Sequence, residues 1–171
     1  MVKEKFSVAT IVNSDGCFDL QFRKDTRHKR TNSPTYYRWK AQFVVTAPKE
    51  NERILNKIKK ELCCGEVSIS KGQARFSVQK ISDVAKIVVP FFKKNALARD
   101  KKRDFEMWAK AVEIIQKNKG KYLAAWQKSD LHSLIEIQKA CCKYKARPRK
   151  SKWLDMAKSF SKSAGTPVKL D

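Results

Sequence analysis

"TIVNSDGCFDLQFR", residues 10–23, changes its hydrophobic pattern at a single glycine. Before Gly16, Val8, Ile11 and Val12 recur at helical spacing, which predicts a short helix over 5–14 with those three on its apolar side. After Gly16, Phe18, Leu20 and Phe22 alternate with Asp19, Gln21 and Arg23, the period of a half-buried strand. Gly16 is a natural helix stop. The acid caught between the two patterns, Asp15, is then either part of that stop or one half of a metal site.

The segments that follow repeat the strand pattern and add helices. "KDTRHKRTNSP" (24–34) is a basic loop carrying turn residues. "YYRWKAQFVV" (36–45) alternates again, with Tyr37, Trp39, Ala41 and Phe43 inward and Arg38, Lys40 and Gln42 outward. "KENERILNKIKKEL" (49–62) places Ile54, Leu55, Ile58 and Leu62 at helical spacing and is ended by "CCG". Two short strands form a hairpin about Lys71-Gly72, with Val67 and Ile69 opposing Ser68 and Ser70, and Ala74, Phe76 and Val78 opposing Arg75, Ser77 and Gln79. "SDVAKIVVPFF" (82–92) reads as a capped helix that Pro90 bends or ends, and 103–117 as an amphipathic helix on Phe105, Trp108, Val112 and Ile115. One or two more helices run from Tyr122 to about Lys143; a basic linker, a short helix over 152–160 and a loose tail complete the chain. The predicted boundaries are a domain over 1–120, accessory helices of the same domain over 121–145, and a basic extension over 146–171.

The order is α-β-β-α-β-β-α, an α+β fold with one four-stranded antiparallel sheet and extra C-terminal helices. Every strand alternates, so one sheet face is buried under helices and the other is wet. The wet face carries Asp19, Gln21, Arg23, Arg38, Lys40, Gln42, Ser68, Ser70, Arg75, Ser77 and Gln79. Arg, Lys, Gln and Ser are side chains that read base edges in a major groove.

Charge points the same way. Thirty-nine Lys and Arg against 17 Asp and Glu leave +22 over 171 residues, spread along the chain. A folded domain with that excess repels itself unless it meets a polyanion, so nucleic acid is the expected partner. A membrane is not: no run approaches 18 apolar residues and no basic amphipathic helix carries the excess alone. The N-terminal residues lack the shape of a signal or transit peptide, which places the protein in its compartment of synthesis, an organelle or a bacterial cytoplasm. Cys17, Cys63-Cys64 and Cys141-Cys142 show no C-x2-C zinc spacing and read as thiols of a reducing compartment. His28 and His132 read as structural.

The pattern resembles the LAGLIDADG homing endonucleases, whose motif is an apolar helix ending in an acid-Gly pair and leading into a strand. Here it stands as "VATIVNSDGCF", residues 8–18. The "FVV" strand, the next helix, the "CG" turn into a hairpin, and "VVPFFKKNALARDKKRDFEMWAKAVEII" follow in that family's order and spacing, over about residues 5–118.

The resemblance implies a helix packed on its twin in a homodimer through Val8, Ala9, Ile11 and Val12. It implies Asp15 as catalytic residue and metal ligand, with Gly16 beside it. Two such carboxylates, one per subunit, would hold Mg²⁺ or another divalent cation between the scissile phosphates. One motif copy implies a roughly palindromic duplex target of the intron-homing kind. The saddle sheet would contact DNA through Gln21, Arg23, Arg38, Lys40, Gln42, Ser68, Ser70, Arg75, Ser77 and Gln79, with Arg27, Lys29 and Arg30 in the basic loop and Lys71 at the hairpin tip. Four positions depart from the family pattern. Asn13 stands at the first acid, Thr10 at the usual glycine, Ala47 where a polar residue is common, and Asp100 where a base is common, with Lys101 beside it as the catalytic candidate. These departures keep an alternative open: a catalytically inactive relative that binds RNA, as an intron maturase or a ribonucleoprotein or ribosome-associated subunit.

Overall fold

The computed structural model describes residues 6–25, 36–143, 155 and 157–159. Helix α1 (Val8–Asp15) runs directly into strand β1 (Gly16–Asp25), with no residue between them. Strand β2 (Tyr36–Pro48), a short 3-10 turn and helix α2 (Glu52–Leu62) follow, then the hairpin of β3 (Glu66–Ser70) and β4 (Gln73–Val78). Helices α3 (Ile81–Asp83) and α4 (Val89–Lys94) are joined by a π turn over Val84–Val88. Helix α5 (Arg99–Lys117), a short 3-10 turn (Leu123–Ala125) and helix α6 (Lys128–Lys143) complete the described elements of 6–143.

The four strands form one antiparallel sheet in the order β1-β2-β4-β3, as the alternating patterns require. The register pairs Phe18 with Phe43 and Asp19 with Gln42 in β1–β2, and Phe43 with Val78 and Val45 with Phe76 in β2–β4. One face is therefore apolar from end to end: Phe18, Leu20, Phe22, Trp39, Ala41, Phe43, Val45, Ala74, Phe76 and Val78 are all buried. Leu55 and Ile58 of α2, Trp108 and Val112 of α5, and Leu131, Leu134 and Ile135 of α6 join that same cluster. Helix α6 thus belongs to the one core, as does Ala157 beyond it.

Phe18, two residues past Gly16, is the hub of this packing. Its ring centroid lies 5.4 Å from Phe43, 5.5 Å from Phe92, 5.3 Å from Phe105 and 5.0 Å from Trp108. Truncating such a buried aromatic costs about 3–5 kcal/mol, so the start of β1 is among the firmest points of the fold. Side chains also hold β1 from outside the sheet: Trp108 Nε1 donates to Asp19 O at 3.0 Å, and Gln138 Nε2 to Leu20 O at 3.2 Å.

Two local expectations change. Helix α1 begins at Val8 rather than at residue 5 and includes Asp15. Pro90 does not end its segment, which runs on to Lys94. It follows the π turn as the second residue of α4, where the wider turn accommodates its missing N–H and the bulk of its ring.

Candidate active site and nucleic-acid interface

The α1–β1 junction is built around a contact that only glycine permits. A Cβ on Gly16 would lie 2.5 Å from Val12 Cγ1, 2.7 Å from Val12 O and 2.9 Å from Val12 Cα. Its backbone is ordinary extended chain (φ −81°, ψ 144°), so closeness and not conformation demands the glycine. The Gly16 N–H closes the helix on Val12 O, and Asp15 is left exposed at the helix C-terminus. A carboxylate at that end opposes the helix dipole, at a cost of about 0.3–1 kcal/mol. Helix stability therefore does not explain Asp15; a cation beside it would.

One cation is already close. Lys101, in the first turn of α5, donates from Nζ to Gly16 O at 2.6 Å, across 85 residues of chain. Asn13 ties the same two elements, its Oδ1 accepting from Ala98 N at 2.9 Å at the N-cap of α5. Asn13 thus has a structural task in place of an acid's. The Ser14 hydroxyl lies 3.1 Å from both Ile11 O and Asp15 Oδ2 and can donate to either. Asp100, next to Lys101, is exposed.

The junction offers hard oxygen donors, the Asp15 carboxylate and the Gly16 carbonyl, of the kind Mg²⁺ takes alongside water and phosphate. Among the described residues no three His, Cys, Asp or Glu side chains come together as a complete metal site.

The helix expected to face its twin divides differently from the sequence reading. Val8 and Val12 are 1% and 0% exposed and belong to this chain's own core, because the helix lies against the sheet on that side. Neither can face a second copy. Ala9 and Ile11 are half-buried, and the outward line is Ser7, Thr10 and Ser14, beside Ile11.

The wet face of the sheet assembles as the alternation predicts. Register puts Gln21 opposite Lys40 and Arg23 opposite Arg38, and Ser68 and Arg75 opposite each other on the hairpin. Ser70 and Ser77 share the same parity, and Lys71 is exposed in the hairpin turn, at φ 49°. Arg27, Lys29 and Arg30 lie outside the described residues. The pattern also brings in residues the sequence reading passed over: Val44 and Thr46 opposite Ser77 and Arg75, and Gln73 opposite Pro48. The apolar run "FVV" hid the parity of Val44 and Thr46. Ala47 has the other parity and packs on the core, opposite Ala74.

Side chains on this face are joined to one another. Gln42, only 6% exposed, donates from Nε2 to Asp19 Oδ2 at 2.8 Å, and Gln21 Nε2 donates to the same oxygen. Lys40 donates to Gln79 Oε1, and Gln79 Nε2 to Ser77 Oγ at 3.3 Å. Partial burial, and then the neighbouring Arg23, Arg38 and Arg75, push the Lys40 ammonium below its ordinary 10.5, against a smaller opposing pull from Asp19. Burial and three neighbouring guanidinium groups thus both disfavour the Lys40 charge in the bare protein.

The sequence profile of the family described as LAGLIDADG endonuclease matches residues 11–112. No curated protein sequence matches the chain. Solved structures do. A homing endonuclease, I-TnaI, superposes with a TM-score of 0.68 at 20% identity, over 90% of this chain and 95% of its own. I-SmaMI bound to uncleaved DNA target in the presence of calcium ions gives 0.70 at 20% identity, over 94% of this chain and 49% of its own. The meganuclease I-AabMI bound to uncleaved DNA gives 0.66 at 20% identity, over 86% and 46%. At these identities the likeness establishes a shared fold. The chain spans nearly all of I-TnaI and about half of the other two.

Proposed function

The chain belongs to the LAGLIDADG endonuclease family, and on that premise we propose that it is a site-specific double-strand DNA endonuclease of the intron-homing type. It acts as a homodimer on a roughly palindromic duplex and hydrolyses one phosphodiester on each strand with a divalent cation. The observation that carries this is the α1–β1 junction: an exposed carboxylate, Asp15, held at a dipole-disfavoured helix end and joined without a spacer to a strand of the basic sheet.

Each part of the chain has a task in this scheme. The wet face docks on the major groove through its Arg, Lys, Gln and Ser side chains, and phosphate contacts by surplus Lys and Arg fix the register. The two-fold relation of a homodimer brings two Asp15 carboxylates together, which completes what one chain supplies by half. Thr10, Ile11 and Ser14 are the side chains that α1 offers to its twin. Asp15 and the Gly16 carbonyl would hold a divalent cation, Mg²⁺ by their oxygen chemistry; once bound, it supplies an activated water and stabilises the leaving oxygen. Lys101 is a positioning residue that holds the Gly16 carbonyl and adds positive charge near the phosphate. The size match supports the homodimer, since this chain is about half of the I-SmaMI chain.

The test is duplex selection and cleavage with Asp15→Asn as control. The expected outcome is Mg²⁺-dependent double-strand cleavage by the wild-type chain, lost in Asp15→Asn, which still binds the selected duplex in Ca²⁺. Cleavage that survives Asp15→Asn would refute the assignment. So would a monomer that binds structured RNA and ignores duplex DNA, the outcome expected of an inactive RNA-binding relative.

A further inference from the structure

Strand β3 forms one edge of the sheet, and it opens with an acid on the wet face. Register sets Glu66 opposite Ser77 and Ser68 opposite Arg75, so Glu66 shares their face, while Val67 packs on the core. Asp19, on the strand at the other edge, already accepts from Gln21 and Gln42. Glu66 is exposed, and among the described residues its side chain makes no hydrogen bond or ion pair. Its neighbours on the face, Ser77 and Ser68, are uncharged, and Arg75, opposite Ser68, forms no ion pair with it. A carboxylate pressed against a duplex without a partner gives up bound water for nothing and is repelled by the phosphates. An ionised carboxylate only accepts, so a donor on the DNA is what offsets that cost. In the major groove the donors are the exocyclic amino groups of cytosine and adenine. Adenine sets the N7 acceptor beside its amino group, guanine presents two acceptors, and thymine presents an acceptor and a methyl. Cytosine alone offers a donor with no acceptor of its own.

We infer that Glu66 is a specificity-determining residue, accepting a hydrogen bond from the N4 amino group of a cytosine at one position of each half-site. Guanine and thymine are disfavoured there, because each would set an acceptor against the carboxylate. The inference rests on the sheet being the DNA-facing surface. Charge on an edge strand also deters pairing with strands of other chains, a role indifferent to DNA sequence. Base preference separates the two.

The experiment is binding selection on a randomised duplex library in Ca²⁺ with the full chain, sequenced for wild type, Glu66→Gln and Glu66→Ala. Wild type is expected to show one position per half-site at which cytosine exceeds guanine and thymine by about tenfold. Glu66→Gln puts a donor and an acceptor side by side, the pair that reads adenine, so preference at that position moves from cytosine to adenine. Glu66→Ala loses the preference there, and in both variants the rest of the profile stays as in wild type. Three identical profiles, variants that differ from wild type only in overall affinity, or a wild-type preference for guanine or thymine where the variants change would each overturn the inference. All three leave the DNA-binding function intact. A wild-type chain that selects no duplex would overturn both.

Discussion

Replacing Gly16 by Ala tests the junction directly. The added methyl would approach Val12 Cγ1 to 2.5 Å, Val12 O to 2.7 Å and Val12 Cα to 2.9 Å. Carbon contacts are comfortable at about 3.5–4.0 Å, so the first is short by roughly 1 Å. Val12 is fully buried, which blocks a side-chain escape, and the other two contacts are to backbone inside a helix. Relief requires α1 and β1 to separate by a large fraction of an ångström. Overpacking of this kind costs about 3 kcal/mol, or about 6–12 °C in Tm for a chain of this size. Gly72→Ala is the control. It has φ +75° with nothing within 4 Å of an added Cβ, so only the left-handed backbone is penalised, at about 1 kcal/mol. Thermal unfolding of both variants, with single-turnover cleavage alongside, separates the two effects. Gly16→Ala should also lose about a hundredfold in cleavage rate while still binding duplex, because Asp15 moves with the junction. A Gly16→Ala protein that melts with wild type, or above Gly72→Ala, would refute the close-packing argument.

Lys101→Met removes a charge-assisted hydrogen bond to Gly16 O; the expected result is a fall in cleavage kcat larger than any rise in KM, with about 1–2 kcal/mol of stability lost in denaturant titration. Lys40→Met should stabilise the free protein at pH 7 and weaken duplex binding, measured by melting and by fluorescence anisotropy. The sign follows from a folded-state value below 10.5: the unfolded chain holds the proton more tightly, stability rises with pH across that interval, and the mutant's advantage shrinks toward pH 10.5. At Asp130, burial favours the neutral acid, but hydrogen bonds from Lys117 and Asn118 outweigh it and hold the carboxyl below 3.8. Asp130→Asn should therefore cost about 1 kcal/mol at pH 7, a gap that narrows as pH falls below 3.8 and the wild-type carboxylate is protonated.

The sheet was legible because its strands are half-buried: period-two alternation fixes which side chains share a face, and Phe18, Leu20 and Phe22 left no second choice. Family spacing points to Asp100 rather than to Lys101, and nothing local marks Lys101 out from Lys102 or Arg103; its reach to Gly16 O is visible only in the fold. The assignment of Val8 and Val12 to a twin failed for a simple reason. An eight-residue helix has one apolar stripe, and sequence does not tell whether this chain's own sheet or a second copy covers it. Asp19 escaped notice as an organiser because its work is done on Gln42, 23 residues away across the register. The π turn was likewise invisible, because Pro90 signals a disturbance of the helix without saying which turn absorbs it.

Helix α1 ends at Asp15 and β1 begins at Gly16, and that absence of any spacer limits how such a chain can change its target. On the proposed function, exchanging side chains on the wet face would alter which bases are preferred and leave the carboxylate where it was. Sliding β1 by one residue along β2 would bury the wrong face and drag Asp15 about 3.3 Å along with it. On that reading, new targets would be open to this architecture through substitution at exposed or half-exposed positions such as 21 or 75, and closed to it through insertion or deletion in the first strand. Engineering libraries that vary side chains and hold the length from Val8 to Asp25 fixed are the ones this fold can tolerate.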